Sequence, residues 1–429
     1  MKAAALLSLL LLSSSLMAQP DQLIITGQLL DVRSGKLMPE QAILLEHDRI
    51  HSIVPLNTLT SAQWALPLTD LSAYTVLPGL IDMHVHLTAN PAQHGYRRLQ
   101  QTPARQALFG VTAAQATLQA GFTSVRNLGA AGFADVDLRD AINAKEIAGP
   151  RMRVSGPAIC MTGGHCDNNL LPHTYQASGD GVANGADAIR TKVRSNMKYG
   201  SDVIKFTATG GVLSRNTDVN ASQFSLDEMQ ALVAEAHDRG AIVAAHAHGL
   251  RGIKRALEAG VDSIEHASFI DDDSLKRAKR QGTYLVMDVY VSDYILQEGE
   301  AAGILPESLA KERTVGQLQR QNFSKAVKAG LNIAYGTDAG VYTHGLNARQ
   351  LNYMVQWGMT PLQAIQSATV TAAELLNWRN EQGQLNVGVL QAGAYADMVA
   401  VKGNPLQQIT LLENIPVVIK GGELVKKVD

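Results

Sequence analysis

Four histidines, an aspartate and a lysine are spaced in this sequence as the donors of a metal centre would be. His84 and His86 stand two apart in LIDMHVH, so in an extended strand both side chains point to one face and can grip one ion. His246 in AAHAHG, His266 in IEHAS and Asp338 in YGTDAG each close a separate apolar run and add imidazole and carboxylate donors. A His-x-His pair alone is explained equally well by two histidines with ordinary hydrogen bonds. Four histidines and an aspartate, all at the ends of such runs, are not explained by core packing.

Lys205 is the odd member, flanked by apolar residues in DVIKFTA. An internal salt bridge is its bland explanation. Burial would instead lower its pKa and leave a neutral, nucleophilic amine. Such an amine adds carbon dioxide to give a carbamate, whose two oxygens can bridge two cations. Paired metals about 3.5 to 4 Å apart need a bridging anion of this kind. The expected cofactors are therefore two divalent ions and carbon dioxide held on Lys205. Histidine and carboxylate suit zinc, iron and manganese, with zinc the first expectation.

These residues need a scaffold that brings many strand ends together. After Pro78-Gly79 a unit repeats, consisting of a brief β-rich run, a loop and a stretch with helical apolar spacing. The runs cover 80–86, 122–128, 152–156, 202–208, 241–247, 262–268, 283–289 and 332–338. Amphipathic stretches such as ALFGVTAAQATLQAG, DAIRTKVRSNMKYG, LDEMQALVAEAHDRG, LRGIKRALEAG and GQLQRQNFSKAVKAG lie between them, several closing on Gly as helix ends do. Eight strand and helix units predict an α/β fold, a (β/α)8 TIM barrel. A doubly wound open sheet is the competing layout, but it does not gather ligands from several strand ends on one face. Before the barrel, Leu23 to about Val76 reads as a few antiparallel strands; from about Gly383, VGVLQAGAYADMVAVKG and PVVIKGGELVKK again read as strands that could complete the first sheet. The expected division is 79–383 for the barrel and 19–78 with 384–429 for a small composite β-sandwich domain.

The chain of 429 residues is 46% hydrophobic and 18% charged, enough to bury a large core. With 37 basic against 39 acidic residues, no strong field would draw it to nucleic acid or anionic lipid. A small-molecule substrate is the expected partner, and monomer and homo-oligomer both stay open. Residues 1–18 place one Lys before an apolar run and end on small residues, as a cleaved secretory signal does, which predicts a periplasmic or secreted protein not embedded in a membrane. Only Cys160 and Cys166 could form a disulfide, and their pairing is not decided by sequence.

The set HVH, a strand-4 lysine, single histidines on strands 5 and 6 and a strand-8 aspartate resembles the amidohydrolase superfamily in its binuclear form. The likeness runs from about Leu23 to the end and includes LPGLIDMHVHL, GAYADMVAVKGNPL and VIKGGELV. TGGHCD, KFTATGGV, AAHAHG, IEHAS, YGTDAGVYTHG and LQAIQSATVTAAELL look like the imidazolonepropionase-related branch of exported dipeptidases and carboxypeptidases. The resemblance implies that His84, His86 and Asp338 hold one metal, His246 and His266 the second, and carboxylated Lys205 bridges them. It gives Asp338 a catalytic role, taking a proton from the attacking water and passing it to the leaving amine. It also implies that His165 and His248 contact the substrate's carbonyl or α-carboxylate, although His248, two residues from a ligand, could be only a support.

Members of that branch cleave Xaa-Pro or Xaa-Arg/Lys peptides, and MDVYVSDYILQEGE looks like the Arg/Lys-directed members. Asp288 would then offer a carboxylate to a cationic side chain and Tyr290 an aromatic wall, unless Asp288 is an interior hydrogen-bond acceptor. The expectation is a metallo-dipeptidase or carboxypeptidase releasing a C-terminal Arg or Lys. Alternatives are an Xaa-Pro dipeptidase, an N-acyl amino acid or cyclic-amide hydrolase, and a binding protein that keeps the barrel without the chemistry.

Overall fold

The structure is a computed structural model describing residues 19–428, so the segment read as a signal lies outside the described residues. Short apolar runs such as Leu23–Ile25 and Ala42–Leu45 are buried in β1 (Gln22–Asp31) and β2 (Lys36–Glu46), which form an antiparallel meander with β3 (Arg49–Pro55), and β4 (Leu68–Pro78) joins β1 in parallel. The barrel then supplies β5 (Leu80–Val85), β6 (Phe122–Asn127), β7 (Arg151–Val154), β8 (Ile204–Thr207), β9 (Val243–Ala247), β10 (Ser263–His266) and β11 (Tyr284–Val286). The chain returns through β12 (Met398–Val401), β13 (Val417–Lys420) and β14 (Glu423–Lys427). β12 pairs antiparallel with β4, Met398 opposite Pro78, so the tail does complete the first sheet. The strands from both chain ends share one seven-stranded sheet, in the order β14-β13-β12-β4-β1-β2-β3, which makes the small β-domain composite as expected.

The barrel ring closes through a mixture of ladders and single contacts. β5-β6-β7 and β8-β9-β10-β11 are parallel ladders. Ile159 joins β7 to β8, its amide donating to Lys205 O (2.8 Å) while Thr207 N donates back to Ile159 O (3.0 Å). The eighth run, 332–338, forms no regular strand. It bridges β11 through Ala334 N to Leu285 O (3.0 Å) and β5 through Met83 N to Tyr335 O (2.8 Å). Side chains take over its ladder. Thr337 N and Oγ1 donate to the Asp82 carboxylate at 3.2 and 2.6 Å, and Asp338 sits in the left-handed region at φ 59°.

Helices on the outside cover the strands. Leu250–Ala259 buries Ile253, Ala256 and Leu257 against the core and stops at Gly260, whose φ of 88° only glycine adopts freely. The helix Pro306–Ala329 begins well before the stretch expected from periodicity, because Pro306 at its first turn is compatible with a helix start. No helix among the described residues is long and apolar enough to cross a membrane.

Gly336 sits where the eighth run crosses β5 and β11. A Cβ there would run into Val286 and stand 2.9 Å from His84 Cβ. Gly336→Ala should therefore overpack the ring and lower stability by about 1 to 3 kcal/mol, read as a lower urea midpoint with an unchanged m-value.

Candidate metal centre

Side chains alternate on a strand, so Asp82, His84 and His86 all turn toward the barrel axis from β5 and its exit. His246 leaves β9, His266 ends β10, and Asp338 ends the eighth run. His266, Ala267 and Asp338 have φ of 69°, 50° and 59°, a strained conformation for residues with a side chain, costing about 1 to 3 kcal/mol each. The bends turn both ligands inward where a straight strand would carry on into a loop.

The six residues expected to hold metal are brought together. His86 Nε2 lies 3.1 Å and His84 Nε2 3.5 Å from Asp338 Oδ1. The ring of His266 is 5.1 Å from that of His84 and 4.6 Å from that of His246. Two triads, His84/His86/Asp338 and His246/His248/His266, each present donor atoms within 4.8 Å of one another. By distance alone His248 is as near to the second triad as His246 is. Lys205, the second residue of β8, is buried, and burial pushes its ammonium down to about 8, with Glu265 opposing and Arg126 assisting.

The outer nitrogens are tied down. His266 Nδ1 meets Asp288 Oδ1 at 2.9 Å, His248 Nδ1 meets Ser268 Oγ at 2.8 Å, and His165 Nδ1 meets Ser214 Oγ at 2.8 Å. His246 is turned the other way, with Nε2 3.3 Å from Gly210 O. In each ring the remaining nitrogen has no hydrogen-bond partner among the described residues, as a ligand nitrogen or a substrate contact requires. Burial first, then neighbouring rings and Lys205, holds His84, His246 and His248 well below the ordinary histidine range and His165 at about 3. Burial is the largest single influence on both His266 and Asp338, yet His266 is raised by the charge and hydrogen bond of Asp288 together with the charge of Asp338, and Asp338 is lowered by the hydrogen bond and charge of His86 together with the charges of His266 and Lys205. Imidazoles crowded around one carboxylate, with unshared nitrogens converging, fit divalent cations.

The other expected contacts separate. His165 stacks on His246 at 4.2 Å and so joins the centre. Asp288 is committed to His266 and to Gln319, whose Nε2 donates to it at 2.6 Å. Tyr290 stands in an aromatic group with Tyr342 and Tyr353, and its hydroxyl accepts from Arg349 at 3.2 Å.

Two residues beneath the ligands escape sequence reasoning. Glu265 Oε2 lies 3.0 Å from His84 Nδ1 without hydrogen-bond alignment, and neither atom has another partner. Its Oε1 takes a hydrogen bond from Arg126 Nη2 at 2.8 Å, while Arg126 Nε donates to Met83 O at 2.7 Å. Both side chains are wholly buried. Arg126 is the lone charge in FTSVRNL and Glu265 directly precedes a ligand, but nothing in either run points to the other.

The family model described as the amidohydrolase family matches residues 75–425. Ochratoxinase of Aspergillus niger is 33% identical over 373 residues, spanning 82% of this chain and 75% of that protein. A Xaa-Pro dipeptidase solved with methionine bound in its active site is 38% identical, with TM-score 0.84 over 94% of this chain and 99% of its own. A prolidase solved with N-methylphosphonate-L-proline is 30% identical, with TM-score 0.86 over 95% and 100%.

Arg126→Leu should leave Glu265 as a buried unpaired charge and destabilise the fold by about 3 to 5 kcal/mol in urea titration. Glu265→Gln keeps the volume, and should instead weaken metal affinity by roughly 10- to 100-fold in chelator competition.

Proposed function

The chain belongs to the amidohydrolase family, and on that premise we propose that it is a two-zinc dipeptidase that cleaves the amide before an uncharged C-terminal residue, proline foremost. It is a metal-dependent hydrolase of amide bonds. The observation that carries the finer reading is the pair of donor triads with buried Lys205 beside them. In this reading His84, His86 and Asp338 would hold one ion and His246 and His266 the other, with Lys205, as its carbamate, supplying a further anionic donor. Bound there, the ions would supply Lewis acidity toward the scissile carbonyl and make the attacking water more acidic.

The chain's own groups do the rest. Asp338, kept anionic beside His86, accepts the proton of the attacking water and returns it to the departing nitrogen. His165 and His248, each with Nδ1 held by a serine hydroxyl, leave Nε2 without a protein partner, and in the tautomer protonated there it would donate to substrate oxygens. What supports an uncharged C-terminal residue is Asp288, whose carboxylate is taken up by His266 and Gln319 and is not free for a guanidinium or ammonium. Of the relatives named above, one is a Xaa-Pro dipeptidase with methionine bound in its active site and another a prolidase solved with N-methylphosphonate-L-proline. A second reading, Arg or Lys at the C-terminus, draws on buried Glu312, whose carboxyl is pushed up to about 7 by burial and by Asp288 nearby. The Cys160–Cys166 disulfide supports an exported enzyme, since such bonds persist in oxidising compartments.

Zinc-loaded protein should hydrolyse Ala-Pro, Ala-Met and Ala-Phe faster than Ala-Arg and Ala-Lys in an amine-release assay. Exclusive turnover of the cationic pair would favour Glu312, and turnover of none would defeat the peptidase reading. Lys205→Ala should lower bound zinc from about two per chain and cut kcat by more than about 100-fold, beyond the loss of an outer hydrogen-bond partner. Undiminished activity would rule out the carbamate.

A further inference from the structure

The helix Pro306–Ala329 follows the seventh strand, yet its contacts also reach the loops of two other strands, β8 and β10. Lys311, Val315, Gln319 and Asn322 recur at helical spacing and share one face. Lys311 Nζ donates to the carbonyls of Gly211 (2.8 Å), Ser214 (2.6 Å) and Thr217 (3.3 Å). It thereby closes the loop whose Ser214 hydroxyl holds His165. Val315 packs with Val212 and Val219 from the same loop. Gln319 Nε2 donates to Asp288 Oδ1 (2.6 Å) and to His266 O (3.2 Å). Asn322 Nδ2 donates to Ser268 O at 2.7 Å, and the Ser268 hydroxyl meets His248.

We propose that this helix face is the positioning frame of the site, with Lys311 fixing His165 through Ser214, and Gln319 and Asn322 fixing His266 and His248 through Asp288 and Ser268. Each histidine is presented by its own strand or loop, and a single rigid element sets their mutual distances. The face is buried where it acts: Gln319 and Asn322 are 2% and 3% exposed. Gly316 keeps the helix close to its neighbour, since a Cβ there would meet Ser292 and Glu312. Of the three histidines, His266 is a ligand in the reading above and His165 a substrate contact, so the frame predicts separable defects.

The kinetic arm of the test rests on the peptidase reading and the metal arm does not. With the Ala-Xaa dipeptide cleaved fastest, Lys311→Met should raise KM by about tenfold while zinc stays at the wild-type level. Lys311→Arg should recover most of that loss. Ser214→Ala should raise KM similarly, and the double variant no further, because both act on His165. Gln319→Leu should weaken zinc affinity by roughly 10- to 100-fold in chelator competition. Additive KM effects of Lys311→Met and Ser214→Ala, or wild-type zinc affinity in Gln319→Leu, would overturn the proposal. If no dipeptide is cleaved, the peptidase reading fails, and the zinc affinities of Gln319→Leu and Lys311→Met still decide the frame. A drop confined to Gln319→Leu supports it, and equal affinities overturn it.

Discussion

Arg126 and Glu265 meet inside the barrel at 2.8 Å, with no solvent on either side chain. Taking two such charges out of water costs several kcal/mol per ion unless geometry and further hydrogen bonds offset it. Here both are met. Arg126 also donates to Met83 O and Ser263 Oγ, and Ser263 Oγ donates to Glu265 Oε1. The pair ties β5, β6 and β10 across the barrel, and Glu265 carries its negative charge up to His84. The centre above is a crowd of histidines with a lysine, and Glu265 is the buried anion beneath it.

The axis is therefore layered. Asp82 lies deepest on β5, holding the irregular eighth run through Thr337 and Asn347, with its carboxyl pushed up to about 7 by burial. Two residues on, His84 meets Glu265; two further on, His86 meets Asp338. The same pleat that aligns these three side chains leaves the opposite ones, Ile81, Met83 and Val85, in apolar packing. At the top of the axis His266, Ala267 and Asp338 adopt left-handed backbone.

Outside the strands, support comes from groups that hold the far nitrogen of each ring: Ser214, Ser268, Asp288 and the Gly210 carbonyl. Fixing one nitrogen sets the aim of the other. The disulfide Cys160–Cys166 closes the short loop that ends at His165, restraining the one contributor that lies on neither a strand nor its immediate end.

The sequence by itself determined the barrel, the return of the chain's end to the first strands, and the candidate ligand residues, because each is marked by local pattern. A two-residue repeat puts Asp82, His84 and His86 on one face, and apolar runs ending in His or Asp mark strand tops. The eighth run was legible as a strand but not its irregularity, since Asp82, 255 residues away, takes its amide. Only the tertiary structure decided that Glu265 faces His84 and Arg126, a partner 139 residues away. It alone assigned Asp288 to His266, set Tyr290 among Tyr342 and Tyr353, and laid one helix face across three loops. Those pairings follow from which strands become neighbours when the ring closes and how deep each side chain then lies. Burial converts such contacts into requirements, and no local pattern records them.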